Sequence, residues 1–359
     1  MMKKDRAYIL PTTLFIVSLL MTFLMLTFIW VMYYIGRTNK NLKEIEYNND
    51  AFRVLEQVIE IFSDDVKGDV TSPYSEWFSL LPEEMDGFKI TYDVEDSKFD
   101  INHIDISVIK ENPFLKKDKK IGKYLYYPWD LKPFLIDNSG DASRDIFTIY
   151  SVPNLNTAKV ERIRMYLDSQ MIPETISNSV IERINFYRGG KNYLVEKGLL
   201  INEDKFLDLR TYFPKNEYER FYLLFDYKGM VNLNFVNKEV FELGIKLCNP
   251  PKDDVSSEIS RFWPQVLQRH ESSSSINSLK EIFGGAENKY EKFFSVDSSL
   301  FKLNISGNNA ELTAFLRKYK DSLGHIKISV LKTNVKNREF KMPDASEDAV
   351  LQTDNFDNL

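Results

Sequence analysis

AYILPTTLFIVSLLM (residues 7–21) stands directly behind the short basic leader MMKKDR and opens an apolar run that decides how the rest of the chain can fold. From Tyr8 to Ile35 there is no Asp, Glu, Lys or Arg. Such a run exceeds the roughly 20 residues a helix needs to cross a bilayer. A cleaved secretory signal has a shorter apolar centre, about 7 to 15 residues, closed by a small-residue cleavage site. Gly36 and Arg37 end this run without one. Lys3, Lys4 and Arg6 precede it, so the positive-inside tendency places the first residues in the cytoplasm and everything beyond Arg37 outside. Pro11 is tolerated in a first turn, where backbone N–H groups have no intrahelical acceptor, and this sets a helix start near Tyr8.

The 359 residues leave ample chain beyond the run for a sizeable core. The formal charge is −6; the first seven residues carry +2, so the remainder carries −8. That acidic balance argues against a nucleic-acid backbone as a direct partner, because phosphate binding relies on clustered Lys and Arg. LKKDKK (residues 115–120) is the one dense basic cluster and reads as a solvated loop. Cys248 has no second cysteine to pair with and reads as a buried apolar residue. His103, His270 and His325 are far apart, and no HExxH, paired CxxC, P-loop or GxSxG occurs. No catalytic centre and no metal site is legible.

Past Gly36 the helical pattern continues. Phe52, Leu55, Ile59 and Phe62 recur at steps of three and four, giving one apolar face on a helix that runs out of the membrane to Phe62. GDVTSPYSEW then breaks it with Gly68 and Pro73. In GFKITYDVEDSKFDIN, Phe88, Ile90 and Tyr92 alternate with polar residues as a strand does. Four segments in the middle carry helical spacing: NTAKVERIRMYLDSQ, PETISNSVIERINFY, VNKEVFELGIKLC and SSEISRFWPQVLQRHE, with Pro264 expected to interrupt the last. Near the end SLFKLNI returns to a period of two, and HIKISVLKT sets Ile326, Ile328 and Val330 against Lys327, Ser329 and Leu331. ELTAFLRKY, between the turn sequences SGNN and DSLG, reads as a third strand of the meander, with a helix as the alternative. Beyond Pro343 the acidic tail reads as disordered.

DSKFDINHID (residues 96–105) and DYKGMVNLNFVNKEVF (residues 226–241) echo each other: a charged turn, a short apolar stretch, then Asn102 or Asn232 placed to cap a following helix. Together with FFSVDSSLFKLNI downstream and the apolar helix upstream, this order resembles the minor pseudopilin K family of type II secretion and type IV pilus systems. The resemblance covers most of residues 1–335. It implies an α+β, type IV pilin-like fold: a long N-terminal helix packed on an antiparallel sheet, carrying a large all-helical insert. The expected divisions are a leader at 1–7, a transmembrane helix at 8–35, the outer half of the helix at 36–62, the first part of the α/β head at 63–106, the insert at 107–292, closing strands at 293–335 and a disordered tail at 336–359.

The resemblance also implies removal of the leader by a membrane prepilin peptidase. The family usually has Gly before the cut, whereas this chain has Ala7, placing the cut between Ala7 and Tyr8; an uncleaved anchor is the alternative. Most pilins resemble one another in having Glu at the fifth mature residue, facing a neighbour's terminal ammonium. Here that residue is Thr12, one after Pro11. A charge buried without a partner costs several kcal/mol, so a neutral Thr12 suits a subunit with no neighbour above it.

The implied role is a non-enzymatic subunit at the tip of a pilus or pseudopilus at the cell surface. It would initiate or cap assembly with minor pseudopilins resembling I and J and with the major pilin, using the stripe of Phe52, Leu55 and Ile59. No cofactor is expected. Calcium is the one metal the resemblance allows, but Asp93, Glu95 and Asp96 lack a loop register for it and read as a solvated turn. The competing reading is a membrane-anchored adhesin or receptor that binds through the insert, with YLYYPWD (residues 124–130) as a contact.

Overall fold

The computed structural model describes residues 6–65, 70–104, 124–125, 134, 146–189, 200–249, 255–307, 310–321 and 323–337. Helix α1 runs unbroken from Arg6 to Asp65, about 90 Å at about 1.5 Å per residue, and passes straight through Gly36. Its two halves differ in what surrounds them. From Leu14 to Ile35 the large apolar side chains are exposed all round, whereas Ala51, Val54, Leu55, Val58 and Phe62 are buried. These five follow one another at steps of three, one, three and four, so they form the single face that packs on a sheet.

That face is covered by a five-stranded antiparallel sheet. After a short helix α2 (Glu76–Ser79), strands β1 (Glu84–Met85) and β2 (Phe88–Val94) form a hairpin. Far along the chain come β7 (Leu300–Ser306), β8 (Ala310–Lys320) and β9 (Ile326–Asn337), and the strand order is β1-β2-β7-β8-β9. ELTAFLRKY is thus the strand β8. Ile90, Leu303, Ile305, Leu312, Ala314 and Leu316 face the helix, while Lys89, Thr91 and Asp93 on the opposite face of β2 are exposed. Leu331 breaks the alternation of β9, and the reason is a register shift: Phe315 pairs with Lys332 but Leu316 pairs with Val330, leaving Leu331 as a bulge. One extra residue restores Val335 to the inner face, where it packs with Ile326 and Ile328.

Helix α1 and strand β2 run in the same direction. Arg53 meets Asp86 at the β1–β2 turn (3.4 Å), and further up the helix the Phe62 ring lies edge-on to Phe301 and Trp77 at 4.9 and 5.4 Å. Val94 pairs with Phe301. The chain therefore leaves the sheet at Val94 and returns at Leu300 at the end remote from the apolar half of α1. This excursion runs from Glu95 to Ser299, where 107–292 was expected: the sheet pairing ends at Val94 with Phe301, and Phe99–Asp100 pairs with Phe147–Thr148 inside the excursion.

Nor is the excursion wholly helical. It contains β3 (Phe99–Asp100), β4 (Phe147–Thr148), α3 (Val160–Ser169), α4 (Glu174–Arg188), α5 (Glu203–Arg210), α6 (Tyr218–Leu224), β5 (Val231–Asn232), α7 (Lys238–Cys248), α8 (Ser256–Glu271), α9 (Leu279–Phe283), α10 (Glu287–Tyr290) and β6 (Phe294–Ser295). Pro264 does not interrupt α8. Both Pro264 and Ser260, whose carbonyl it leaves without a helical donor, lie on the exposed side, where water can replace the missing bond.

Three units of one design follow each other in this excursion. Each starts with Asp or Asn, an aliphatic residue at 0% exposure and Asn: Asp100-Ile101-Asn102, Asn154-Leu155-Asn156 and Asn232-Leu233-Asn234. In each the first side chain accepts the N–H of the second Asn, at 2.7, 2.8 and 2.9 Å. That Asn amide then pairs with both backbone groups of one distant residue. Asn102 brackets Leu125 (2.8 and 3.0 Å), Asn156 brackets Ile201 (2.8 and 3.0 Å) and Asn234 brackets Ile276 (2.7 and 3.1 Å). Each unit also closes by a short parallel contact: β3 with β4, Asn154 with Asp226, and β5 with β6. Gly229 admits the last of these, since a Cβ there would lie 2.0 Å from the Phe294 carbonyl oxygen. Asn102 and Asn232 are therefore not helix caps; Asn237 caps α7 by accepting the Val240 N–H at 2.8 Å.

Replacing Phe62, buried between Trp77 and Phe301, by Ala should lower the stability of the head by about 3 to 5 kcal/mol. Asn234→Ala should cost about 2 to 3 kcal/mol by leaving the buried Ile276 backbone groups unpaired. Denaturant unfolding of the full chain in detergent measures both, and an Asn234→Ala loss below about 0.5 kcal/mol would refute the bracket.

Candidate functional site

Two places are candidate sites: the outer surface of α1, and the clamp where the excursion rejoins the sheet. On α1, Ala7, Tyr8, Pro11 and Thr12 lie on helical backbone that already extends to Arg6, and their side chains are outside the described residues. The stripe Phe52, Leu55 and Ile59 is divided by the structure. Leu55 is buried in the head core, Ile59 is half-buried at its rim, and Phe52 keeps 37% of its surface exposed. The apolar line that remains outside continues toward the wholly apolar half of α1 through Ile45 and Leu42, both more than half exposed. Leu55 thus cannot serve a partner. Sequence periodicity could not separate these residues, since a core face and an adjoining outer stripe share the same spacing.

The clamp centres on Asp297. Its carboxylate accepts hydrogen bonds from Thr71 Oγ1 at 2.9 Å, from Lys228 Nζ at 2.9 Å and from Lys318 Nζ. Burial pushes the Asp297 carboxyl upward, but Lys318 and Lys228 outweigh it and hold the group below the usual carboxylate range. The next residues are gripped from two sides. Asp96, at the exit from β2, accepts the N–H groups of Ser299 and Leu300, the latter at 2.9 Å; Asp226, which closes the second unit, accepts the Ser299 hydroxyl at 2.8 Å. Arg317 on β8 donates to the carbonyls of Tyr222 (3.1 Å) and Phe225 (2.5 Å) at the end of α6. The sheet, the helix end and the units are tied through one short segment. A cleft of about 690 Å³ lies beside it, lined by Arg317, Lys318, Asp226 and Asp297, whose charges are already committed to the clamp.

The other residues singled out from sequence disperse. Asp93 faces Lys302 (3.4 Å), Glu95 pairs with Lys98 (3.1 Å), and Asp96 serves the clamp. Among the described residues no group of three or more His, Cys, Asp or Glu is placed to hold a metal ion. Of YLYYPWD, Tyr124 and Leu125 are buried and residues 126–130 lie outside the described ones, as do LKKDKK and the tail beyond Asn337. Cys248 is partly buried against the core of the third unit, and burial pushes its thiol up.

His103 does meet a serine and an aspartate. Nδ1 is 3.4 Å from Ser151 Oγ and 3.6 Å from Asp100 Oδ2, while Nε2 is 3.0 Å from the Tyr124 hydroxyl. Nucleophilic catalysis needs the serine and the aspartate on opposite ring nitrogens. Here both lie on one, and Ser151 donates its proton to Asp100 (2.7 Å). Burial lowers His103 to about 3, so it is a neutral brace inside the first unit.

No protein-family model and no curated protein matches the chain. Among solved structures, a chain of the GspK-GspI-GspJ complex from the enterotoxigenic Escherichia coli type 2 secretion system is similar at 12% identity. The match covers 84% of this chain and 99% of that one, with a TM-score of 0.30.

Because Asp297 is held low, its contribution to stability is present above pH about 4 and is lost as pH falls through its lowered folded value. Asp297→Asn should flatten that acid limb of the unfolding free energy and destabilise the chain by about 3 to 5 kcal/mol at neutral pH, since Lys318 would be left buried without its partner. A variant whose stability between pH 6 and 2 parallels the unsubstituted chain would refute the clamp.

Proposed function

We propose that the chain is a minor pilin or pseudopilin, a non-enzymatic subunit placed by its N-terminal helix in a membrane and then at the tip of a filament. One observation carries this reading: a single helix is apolar and exposed all round over its first half, then buries one face on an antiparallel sheet in its second. The first half satisfies a lipid phase or a bundle of like helices; the second fixes the head to it. The uncharged run from Tyr8 to Ile35 is long and apolar enough to cross a bilayer once, and this reading puts the head outside. Other minor pilins resembling I and J, the major pilin and the prepilin peptidase are the expected partners. Phe52, Ile45 and Leu42 form the partner-facing line in place of the buried Leu55.

Placement at the tip draws support from where the units sit. They leave and rejoin the sheet at its membrane-remote end, so their bulk stands where a further subunit would have to stack. Thr12 in place of an acidic residue agrees with a subunit that has no neighbour above. In the adhesin reading the same units would contact a ligand, but the clamp residues that face the cleft are paired with each other.

N-terminal sequencing of the membrane-extracted protein should begin at Tyr8, and a chain beginning at Met1 would remove prepilin-type processing from the account. Thr12→Glu should impair assembly by placing an unpaired carboxylate among packed helices. Electron microscopy of filaments carrying a tagged head should show label at one end; label along their length would contradict the tip placement.

A further inference from the structure

Three aromatic residues and three cations follow one another where the apolar half of α1 ends. Trp30, Tyr33 and Tyr34 are exposed by 61, 62 and 49%. The Trp30 and Tyr34 rings are 4.4 Å apart, and Tyr33 lies edge-on to Tyr34 at 6.3 Å. Arg37, Lys40 and Lys43 then recur every three residues on exposed helix, before Glu44, the first acidic residue after the apolar run. Their spacing keeps all three on one side of the helix. The stretch from Ile9 to Ile29 is about 31 Å long at about 1.5 Å per residue, the thickness of the hydrocarbon core. The rings therefore fall at the outer interface, where amphipathic aromatics settle, and the cations fall one to two turns beyond it.

These cations work against the orientation argument. Lys3, Lys4 and Arg6 lie on the inner flank and set the orientation, while the outer flank is the side on which that tendency disfavours cations. They also stand out from the chain around them, which carries −8 beyond residue 7 and would be repelled by an anionic surface. We propose that Arg37, Lys40 and Lys43, with the rings of Trp30, Tyr33 and Tyr34, form an interfacial collar that binds the phosphates of anionic phospholipids in the outer leaflet. The collar sets the depth of the helix. It rests on the reading of residues 8–35 as a membrane span and adds to it a lipid class and named ligands. From Tyr34 to Ala51, the first residue of the head core, the helix measures about 26 Å, so the acidic head stands clear of the charged surface that the collar grips.

The test is lipid selectivity. The full chain is reconstituted in phosphatidylcholine vesicles, and spin-labelled phosphatidylglycerol and phosphatidylcholine are compared by electron spin resonance for their occupancy of the lipid shell. Each cation near an anionic surface contributes about 1 kcal/mol, close to a fivefold effect, before dilution over the whole lipid shell. Phosphatidylglycerol should be preferred about threefold at low salt, and the preference should fall toward unity in 1 M NaCl, where the screening length is about 3 Å. Arg37→Gln/Lys40→Gln/Lys43→Gln should lose most of the preference, and Lys3→Gln/Lys4→Gln/Arg6→Gln should keep it. Equal selectivity in the first variant and the unsubstituted chain overturns the collar while leaving the span intact. A spectrum with no motionally restricted lipid overturns the span, and the collar falls with it.

Discussion

Everything in this fold depends on one helix whose two halves present different surfaces. An α-helix satisfies its own backbone, so it can enter hydrocarbon without help, but the side chains at each level must match what lies around them. The first half of α1 is apolar on every side and buries nothing in the head. The second half is apolar chiefly along the face of Ala51, Val54, Val58 and Phe62, and that face receives the inner side of the sheet. No break separates the halves, so any force or constraint on the apolar end is transmitted to the head through continuous hydrogen-bonded helix.

The head is small, and the mass above it is added at one point. Antiparallel neighbours need not be close in sequence, and β2 and β7 are adjacent although some two hundred residues intervene. Such an insertion is tolerable because the entropy of closing a long loop rises only slowly with its length, and because the inserted chain folds into units with cores of their own. The first and third units share a core through Phe99, Phe147, Phe241 and Phe294, and the second has its own around Ile163, Ile184 and Phe221. The clamp of Asp96, Asp226, Asp297, Lys228, Arg317 and Lys318 then joins units to sheet with polar contacts that demand specific geometry. Buried ionic clusters of this kind give little net stability compared with apolar packing, but they fail sharply when one member is lost.

The repeated bracket shows how a polar side chain can do structural work inside a core. An Asn amide presents one donor and one acceptor side by side, the same pattern as a backbone segment, and so it can pair with a distant residue as a strand would. It needs only two residues of register, supplied by the Asp or Asn two positions earlier. Two of the three brackets carry the identical tripeptide Asn-Leu-Asn, at 154–156 and 232–234. That identity was a signal open to a reader of the sequence, yet the more visible echo between 96–105 and 226–241 aligned Asn102 with Asn232 in place of Asn234.

The sequence by itself determined what depends on local composition and period: the apolar run from Tyr8 to Ile35, the amphipathic continuation to Phe62, the alternation in β2 and β7, and helices such as α7 and α8. Shorter elements with little periodicity, α5, α6, α9 and α10 among them, were not legible, because a few residues cannot establish a face. Tertiary structure alone decided which apolar residues stay outside: Leu55 turns into the core while Phe52, one turn away and of like chemistry, does not. It also decided where Asp93, Glu95 and Asp96 go, since neighbours in sequence were drawn to Lys302, Lys98 and the returning backbone at Ser299. Composition says which residues can be buried, and only the partner surface that arrives from elsewhere in the chain says which of them are.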